Sequence, residues 1–113
     1  MRKIGGNITA EIQIKTTTKN AIGERVANWT NVQELTGYLD YIGGQADYNN
    51  YDAKITETTH VFICDYVTLS NDITIENCRC IIEGKEYEVV CIDNPMELNY
   101  QLEILLKYIG DVV

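Results

Sequence analysis

The chain is poor in histidine, in positive charge and in long apolar runs, and each shortage closes off a class of function. His60 is the one histidine, so any His–Ser–Asp or Cys–His–Asn scheme would have to be built on that single ring. Flanked by Thr59 and Val61 in a strand-like run, it reads as a packed or hydrogen-bonded structural residue and not as a base. Lys and Arg number 9 against 17 Asp and Glu, for a net charge of -8. A surface of that sign repels phosphate backbones and anionic membranes, which argues against DNA binding through a basic patch. It still permits a surface that DNA slides past without sticking. No segment approaches the ~18 apolar residues of a membrane span. Met1-Arg2-Lys3-Ile4-Gly5-Gly6 carries charge with no apolar run behind it, so no signal peptide is expected. The glycines show no phosphate-loop spacing and no Lys-Ser/Thr ending.

What remains is the composition of an ordinary globular domain, 45% apolar and 23% charged. Residues 1–113 make one domain, a size that hides roughly 65% of the surface of its unfolded chain. The cysteines are Cys64, Cys78, Cys80 and Cys91. Cys78-Arg79-Cys80 lacks the two-residue gap of a zinc knuckle, while Cys64 and Cys91 sit singly in apolar strand patterns. They read as reduced thiols embedded in strands. Glu86 and Glu88 share a strand face beside Lys85, which suits a solvated outer face better than an acid–base couple. No catalytic residue, metal or cofactor is expected, and the protein is read as a structural one, not an enzyme.

Period-two alternation organises the chain. Ile8, Ala10, Ile12 and Ile14 fall on one side of a segment whose other side is Thr9, Glu11, Gln13 and Lys15, a half-buried strand. The polar stretch from Thr16 to Glu24 is expected to turn the chain. A second strand runs over 25–32 around Trp29, which reads as barrel core, with an interface anchor as the other option. Leu35, Gly37, Leu39 and Tyr41 share a face next, and Gly37 in mid-strand suggests a bend or bulge. Residues 42–57 lose the pattern and form one long loop, of a kind that is usually functional. Thr58 to Tyr66 reads as a central strand. A turn near Ser70-Asn71-Asp72 leads to a hairpin of 78–82 and 87–92, linked by Glu83-Gly84-Lys85-Glu86 with Gly84 at positive φ. Pro95 ends that hairpin. Residues 98–109 fit two periods: Leu98, Leu102, Leu105 and Ile109 would line a helix, whereas Tyr100, Leu102, Ile104, Leu106 and Tyr108 alternate as in a strand. The strand suits the rest of the architecture. The expectation is an all-β fold, a small antiparallel barrel of six or seven strands that protects its own edges, with one long loop that has room for a short helical turn.

The order of these features resembles the head closure, or head–tail joining, proteins of tailed bacteriophages. Those carry an N-terminal strand, a "W-T-x-V" stretch, a strand ending in small residues, a long loop, a "T-H-x-V" strand and an "R-x-x-x-x-G-K-x-Y-x-V" hairpin. The matching residues are Trp29-Thr30-Asn31-Val32, Gly43-Gly44, Thr59-His60-Val61, and Arg79 through Gly84-Lys85-Glu86-Tyr87-Glu88-Val89. Asn94-Pro95 then precedes the last apolar run. The chain departs from the pattern at Gly37, where a small Ala is more usual, and at Cys64-Asp65, where a basic residue is common.

The resemblance implies a structural component of a phage or prophage neck, resident in the virion neck and in the host bacterial cytoplasm during assembly. Its copies would form a ring, about twelve-fold in the family, under the portal and adaptor. There they would retain the packaged DNA and offer a docking surface to a tail completion or tail tube protein. Double-stranded DNA would pass through the channel without specific binding, and no membrane is involved. The long loop would project into the channel, with Asp47, Tyr48, Asn49, Asn50, Tyr51 and Asp52 as its channel-facing residues. The residues are compatible with that, because Asp40, Asp47, Asp52 and Glu57 face only Lys54 in charge, and a negative wall keeps DNA from adhering. The apolar terminus places Ile109, Val112 and Val113 at an interface. Three rivals remain: a tail completion or terminator protein of the same neck, a small barrel module that binds single-stranded nucleic acid or a saccharide, and a hydrolase or metalloprotein using the cysteines.

Overall fold

A computed structural model of the protein describes residue 6, residues 8–42 and residues 58–112. The expected channel residues Asp47, Tyr48, Asn49, Asn50, Tyr51 and Asp52, and the terminal Val113, lie outside the described residues.

Six strands make the fold: β1 (Ile8–Lys19), β2 (Arg25–Tyr41), β3 (His60–Asp65), β4 (Cys78–Ile82), β5 (Lys85–Asp93) and β6 (Gln101–Asp111). All pairings are antiparallel, and the order β1-β2-β3-β6-β5-β4 closes because β4 pairs back onto β1. The all-β barrel expected from the alternation is therefore present. Closure leaves no open sheet edge within the ring. Inward positions of every strand meet in one core, where Phe62, Ile12, Ile82, Ile104 and Leu106 are the largest fully buried side chains. Each such burial contributes about 1.5–3 kcal/mol.

Residues 98–109 resolve in favour of the strand. In β6, Leu102, Ile104 and Leu106 point into the barrel, while Leu105 is half-buried and Ile109 exposed on the outside. A short 3-10 turn over Pro95–Glu97 separates β5 from β6.

Several sequence expectations shift in detail. The segment 25–41 is one strand of 17 residues and not two, and β1 runs on to Lys19, so only residues 20–24 turn the chain. Asn20 holds that turn, its Oδ1 accepting the N–H of Ile22 at 3.1 Å and of Glu24 at 2.9 Å. The hairpin link is the two-residue turn Glu83-Gly84, with φ of 51° and 76°, the backbone of a type I′ turn.

The expected irregularity at Gly37 lies at Val32 instead. Ile12 faces Gln33 and Gln13 faces Asn31, so Val32 is the extra residue of a bulge. Gly37 is regular, and glycine is needed there because a Cβ would collide with the Ile63 carbonyl oxygen.

The bulge also overturns the core reading of Trp29. One inserted residue flips the facing of every position beyond it, so β2 residues that share parity with Leu35 turn outward below Val32. Trp29 lies opposite Lys15 on the outer surface and is 36% exposed.

Past the barrel, β1 and β2 continue as a two-stranded arm. β4 covers β1 only from Ala10 to Ile14. Beyond Lys15 the ladder pairs Thr16 with Asn28, Thr17 with Ala27, Thr18 with Val26 and Lys19 with Arg25, all exposed. The arm stands at the opposite end of β2 from Tyr41.

Candidate functional site

Two features stand out from the regular wall of the barrel. The first is an aromatic plug at the mouth from which residues 43–57 depart. Register delivers its rings. Tyr41 pairs with His60 across β2 and β3, His60 faces Leu106 on β6, and Tyr108, two residues on, pairs with Tyr87 of β5. All four rings therefore occupy one end of the barrel. His60 packs edge-on to Tyr41 at 5.2 Å and to Tyr87 at 5.1 Å between centroids, and Tyr87 lies 5.6 Å from Tyr108. Edge-on contacts of this kind set the positive edge of one ring on the negative face of another.

Hydrogen bonds tie the plug to the roots of the 43–57 segment. Ile42 N–H donates to the Thr59 carbonyl at 2.8 Å, and Thr59 N–H donates to the Leu106 carbonyl at 2.8 Å. The Thr59 hydroxyl oxygen accepts the N–H of Tyr108 at 2.8 Å and lies 2.8 Å from His60 Nδ1. His60 is thus packed against the rings of Tyr41 and Tyr87 and held at one nitrogen by Thr59. Desolvation, with the Lys85 charge adding to it, lowers its pKa from the ordinary 6.5. Burial, with smaller contributions from Tyr108 and Glu83, raises that of Tyr87. Tyr41, His60, Tyr87, Tyr108 and Lys85 surround an open concavity of about 280 Å³. His60 stands out in the sequence but the cluster does not, because it forms only where β3 and β6, pairing side by side, carry His60 and Tyr108 between Tyr41 of β2 and Tyr87 of β5.

The second feature is the outer face of the β1–β2 ribbon. Arg79 on β4 anchors it. Its Nε donates to Gln13 Oε1 at 2.8 Å, its Nη1 lies 3.3 Å from Glu86 Oε2, and its guanidinium carbon sits 4.2 Å above the Trp29 ring centroid. The cation over the ring adds about 0.5–1 kcal/mol at an exposed site. Glu86 is therefore an ion-pair partner, while Glu88 is exposed on the same strand face. A groove of about 560 Å³ opens beside Trp29, with Ile75, Glu76, Val90 and Ile109 in its lining. Val90 and Ile109 are the extra residues where the β5–β6 register shifts, which explains why both apolar side chains stand outside the barrel.

Of the expected terminal interface, Ile109 lines this groove, and Val112 is 42% exposed with its N–H bonded to the Gly84 carbonyl at 2.8 Å. These residues and the 43–57 roots do not converge on one site.

The thiols behave as embedded groups. Cys64, Cys78 and Cys80 are buried and Cys91 is half-buried, with no disulfide among them. Burial, reinforced by the neighbouring Cys78 and Cys64, pushes Cys80 up to about 12. Cys64 and Cys78 rise to about 11, mainly from desolvation, with Asp65 and Glu76 adding to it. Among the described residues no group of three or more His, Cys, Asp or Glu is placed to hold a metal ion. No helix among them is long and apolar enough to cross a membrane. Neither a protein-family model nor a curated protein matches this sequence.

Proposed function

We propose that this chain is a structural component of a tailed-phage or prophage neck, a head closure protein. Its copies form a ring under the portal and adaptor, retain the packaged DNA and present a docking surface to the tail completion or tail tube protein. One observation carries the reading: a small closed barrel whose acidic 43–57 segment is inserted at a mouth plugged by aromatic rings and tied at both roots. A closed, hydrogen-bonded rim is a rigid mount, and rigid scaffolds are what position functional insertions. Copied around a ring, that segment places Asp47, Asp52 and Glu57 against Lys54 alone on the channel wall. The resulting negative potential extends about 8 Å at physiological salt, enough to keep passing DNA from sticking to the wall. The order of short motifs along the chain supports the same assignment.

Deletion of the gene from its phage or prophage tests this. The expected product is heads that fill and then lose their DNA, beside free unattached tails. Normal virions would overturn the proposal, and heads joined to tails of uncontrolled length would assign the tail terminator role instead.

One observation favours the binding-module reading: the concavity at the mouth places Tyr41, 73% exposed, beside Lys85, and exposed rings next to a cation suit stacked bases. Titration with a short single-stranded oligonucleotide, followed through the tyrosine ring signals, decides that case.

A further inference from the structure

The β1–β2 ribbon carries two cross-strand pairs of like charge, one at each end of the same face. On the barrel, Glu11 lies directly opposite Glu34; at the arm tip, Lys19 lies directly opposite Arg25. Like charges set opposite one another weaken a ladder. None of the four has an ion-pair partner among the described residues. The pairs are eight positions apart on β1, about 27 Å at ~3.4 Å per residue, so they cannot neutralise each other within one molecule. Between them the face carries Lys15 opposite Trp29, with the Arg79 guanidinium over that ring, and is otherwise uncharged, with Gln13 opposite Asn31 and Thr17 opposite Ala27. At the apex of the arm Ile22 is 76% exposed.

We propose that this face is where copies of the chain join, the basic tip Lys19/Arg25 of one copy seated on the acidic pair Glu11/Glu34 of the next. Each like-charge pair then finds its opposite. A two-fold pairing of the same faces would also bring tip to body, but it would set Lys15 on Lys15 at its centre. The head-to-tail arrangement avoids that clash. It is heterologous, the type of contact that closes into a ring when the rotation per subunit permits. The inference takes its biological setting from the neck reading, while its chemistry stands on the ribbon alone.

Carbodiimide coupling of the full chain tests it, using a mixture of ¹⁴N- and ¹⁵N-labelled protein at low salt. The reagent joins a lysine amine to a carboxylate only where the two touch. The expected product is a mixed-isotope peptide pair linking Lys19 to Glu11 or Glu34, in a ladder that continues beyond two copies. Its yield falls at least tenfold at ~1 M salt, where the screening length shrinks to about 3 Å. K19E/R25E and E11K/E34K each suppress self-association, and mixing the two variants restores it. Lys19, Arg25 and Glu34 are exposed and Glu11 is half-buried on the outer wall, so the melting curve of each variant is read alongside as an independent check of folding. Absence of the linked pair, unchanged association of either variant, or a ladder that stops at two copies would overturn the proposal. Virions that carry this chain in their neck and assemble normally with K19E/R25E would reject this contact and spare the neck reading. Charge-dependent association by a chain missing from the neck would do the reverse.

Discussion

Gly37 of β2 lies directly opposite Cys64 of β3, and the two strands approach so closely that a methyl group on Gly37 would stand 2.9 Å from Cys64 Cβ. The Gly6 backbone closes the other side of the same residue, since a Cβ on Gly6 would collide with the Gly37 carbonyl. Gly37→Ala therefore forces the barrel wall apart. The expected cost is about 1–3 kcal/mol, the range for overpacked cores, read as a lower denaturant midpoint with an unchanged slope. An unchanged midpoint would mean the wall yields freely there.

Trp29 provides a second check, because it is the chain's one tryptophan and lies outside the core. Trp29→Ala is expected to cost about 1 kcal/mol, the scale of a surface cation–π contact, and not the ~3–5 kcal/mol of a buried tryptophan. In the unmodified chain, acrylamide should quench the fluorescence readily, and Arg79→Ala should quench it further. Emission shielded from acrylamide would contradict the outward placement.

That residue also shows how far the sequence could be read. The strands, their antiparallel character and the inward sets Ala10/Ile12 and Leu35/Gly37 were legible because period two is visible wherever one face is buried, whereas the order of the strands around the ring was not. Trp29 was misplaced because it shares parity with Leu35, and nothing in Val32 itself announces the bulge that reverses the facing. Residues 98–109 stayed ambiguous for a related reason. Leu105 is half-buried outside the barrel, while Ile109 lies on the exposed side of a bulge. Both add a helical rhythm to a strand. The aromatic plug was invisible because Tyr41 and Tyr87 are far apart in sequence and are joined only through His60, once β3 pairs with β2 and with β6.

The plug makes stability depend on pH in a defined direction. His60 has its pKa lowered by burial and by Lys85, so the unfolded chain binds the proton more readily than the folded one. Stability from this group is full above about pH 6.5, the unfolded value, and is lost as pH falls through that value toward the folded pKa. Urea midpoints measured from pH 8 to pH 5.5 should decline on the acid side. His60→Phe, which keeps a ring in place, should flatten that decline. A midpoint that rises toward pH 5.5 would contradict the assignment.

Thiol chemistry follows from the same burial. With Cys80 pushed up to about 12 and Cys64 and Cys78 to about 11, little thiolate exists at pH 8, and the thiolate is the reactive form. Labelling of the native protein with a disulfide reagent should reach at most one group per chain, at the half-buried Cys91. All four should react in denaturant. Rapid native labelling of Cys80 would show that the barrel opens.

The most direct measurement of the central claim is cryo-electron microscopy of the neck of a virion assembled from the genome that encodes this chain. The account predicts a ring of six-stranded barrels between the portal–adaptor assembly and the tail, with the 43–57 segment directed at the channel and each arm laid on the adjacent copy. A complete neck in which every density belongs to other chains would contradict it.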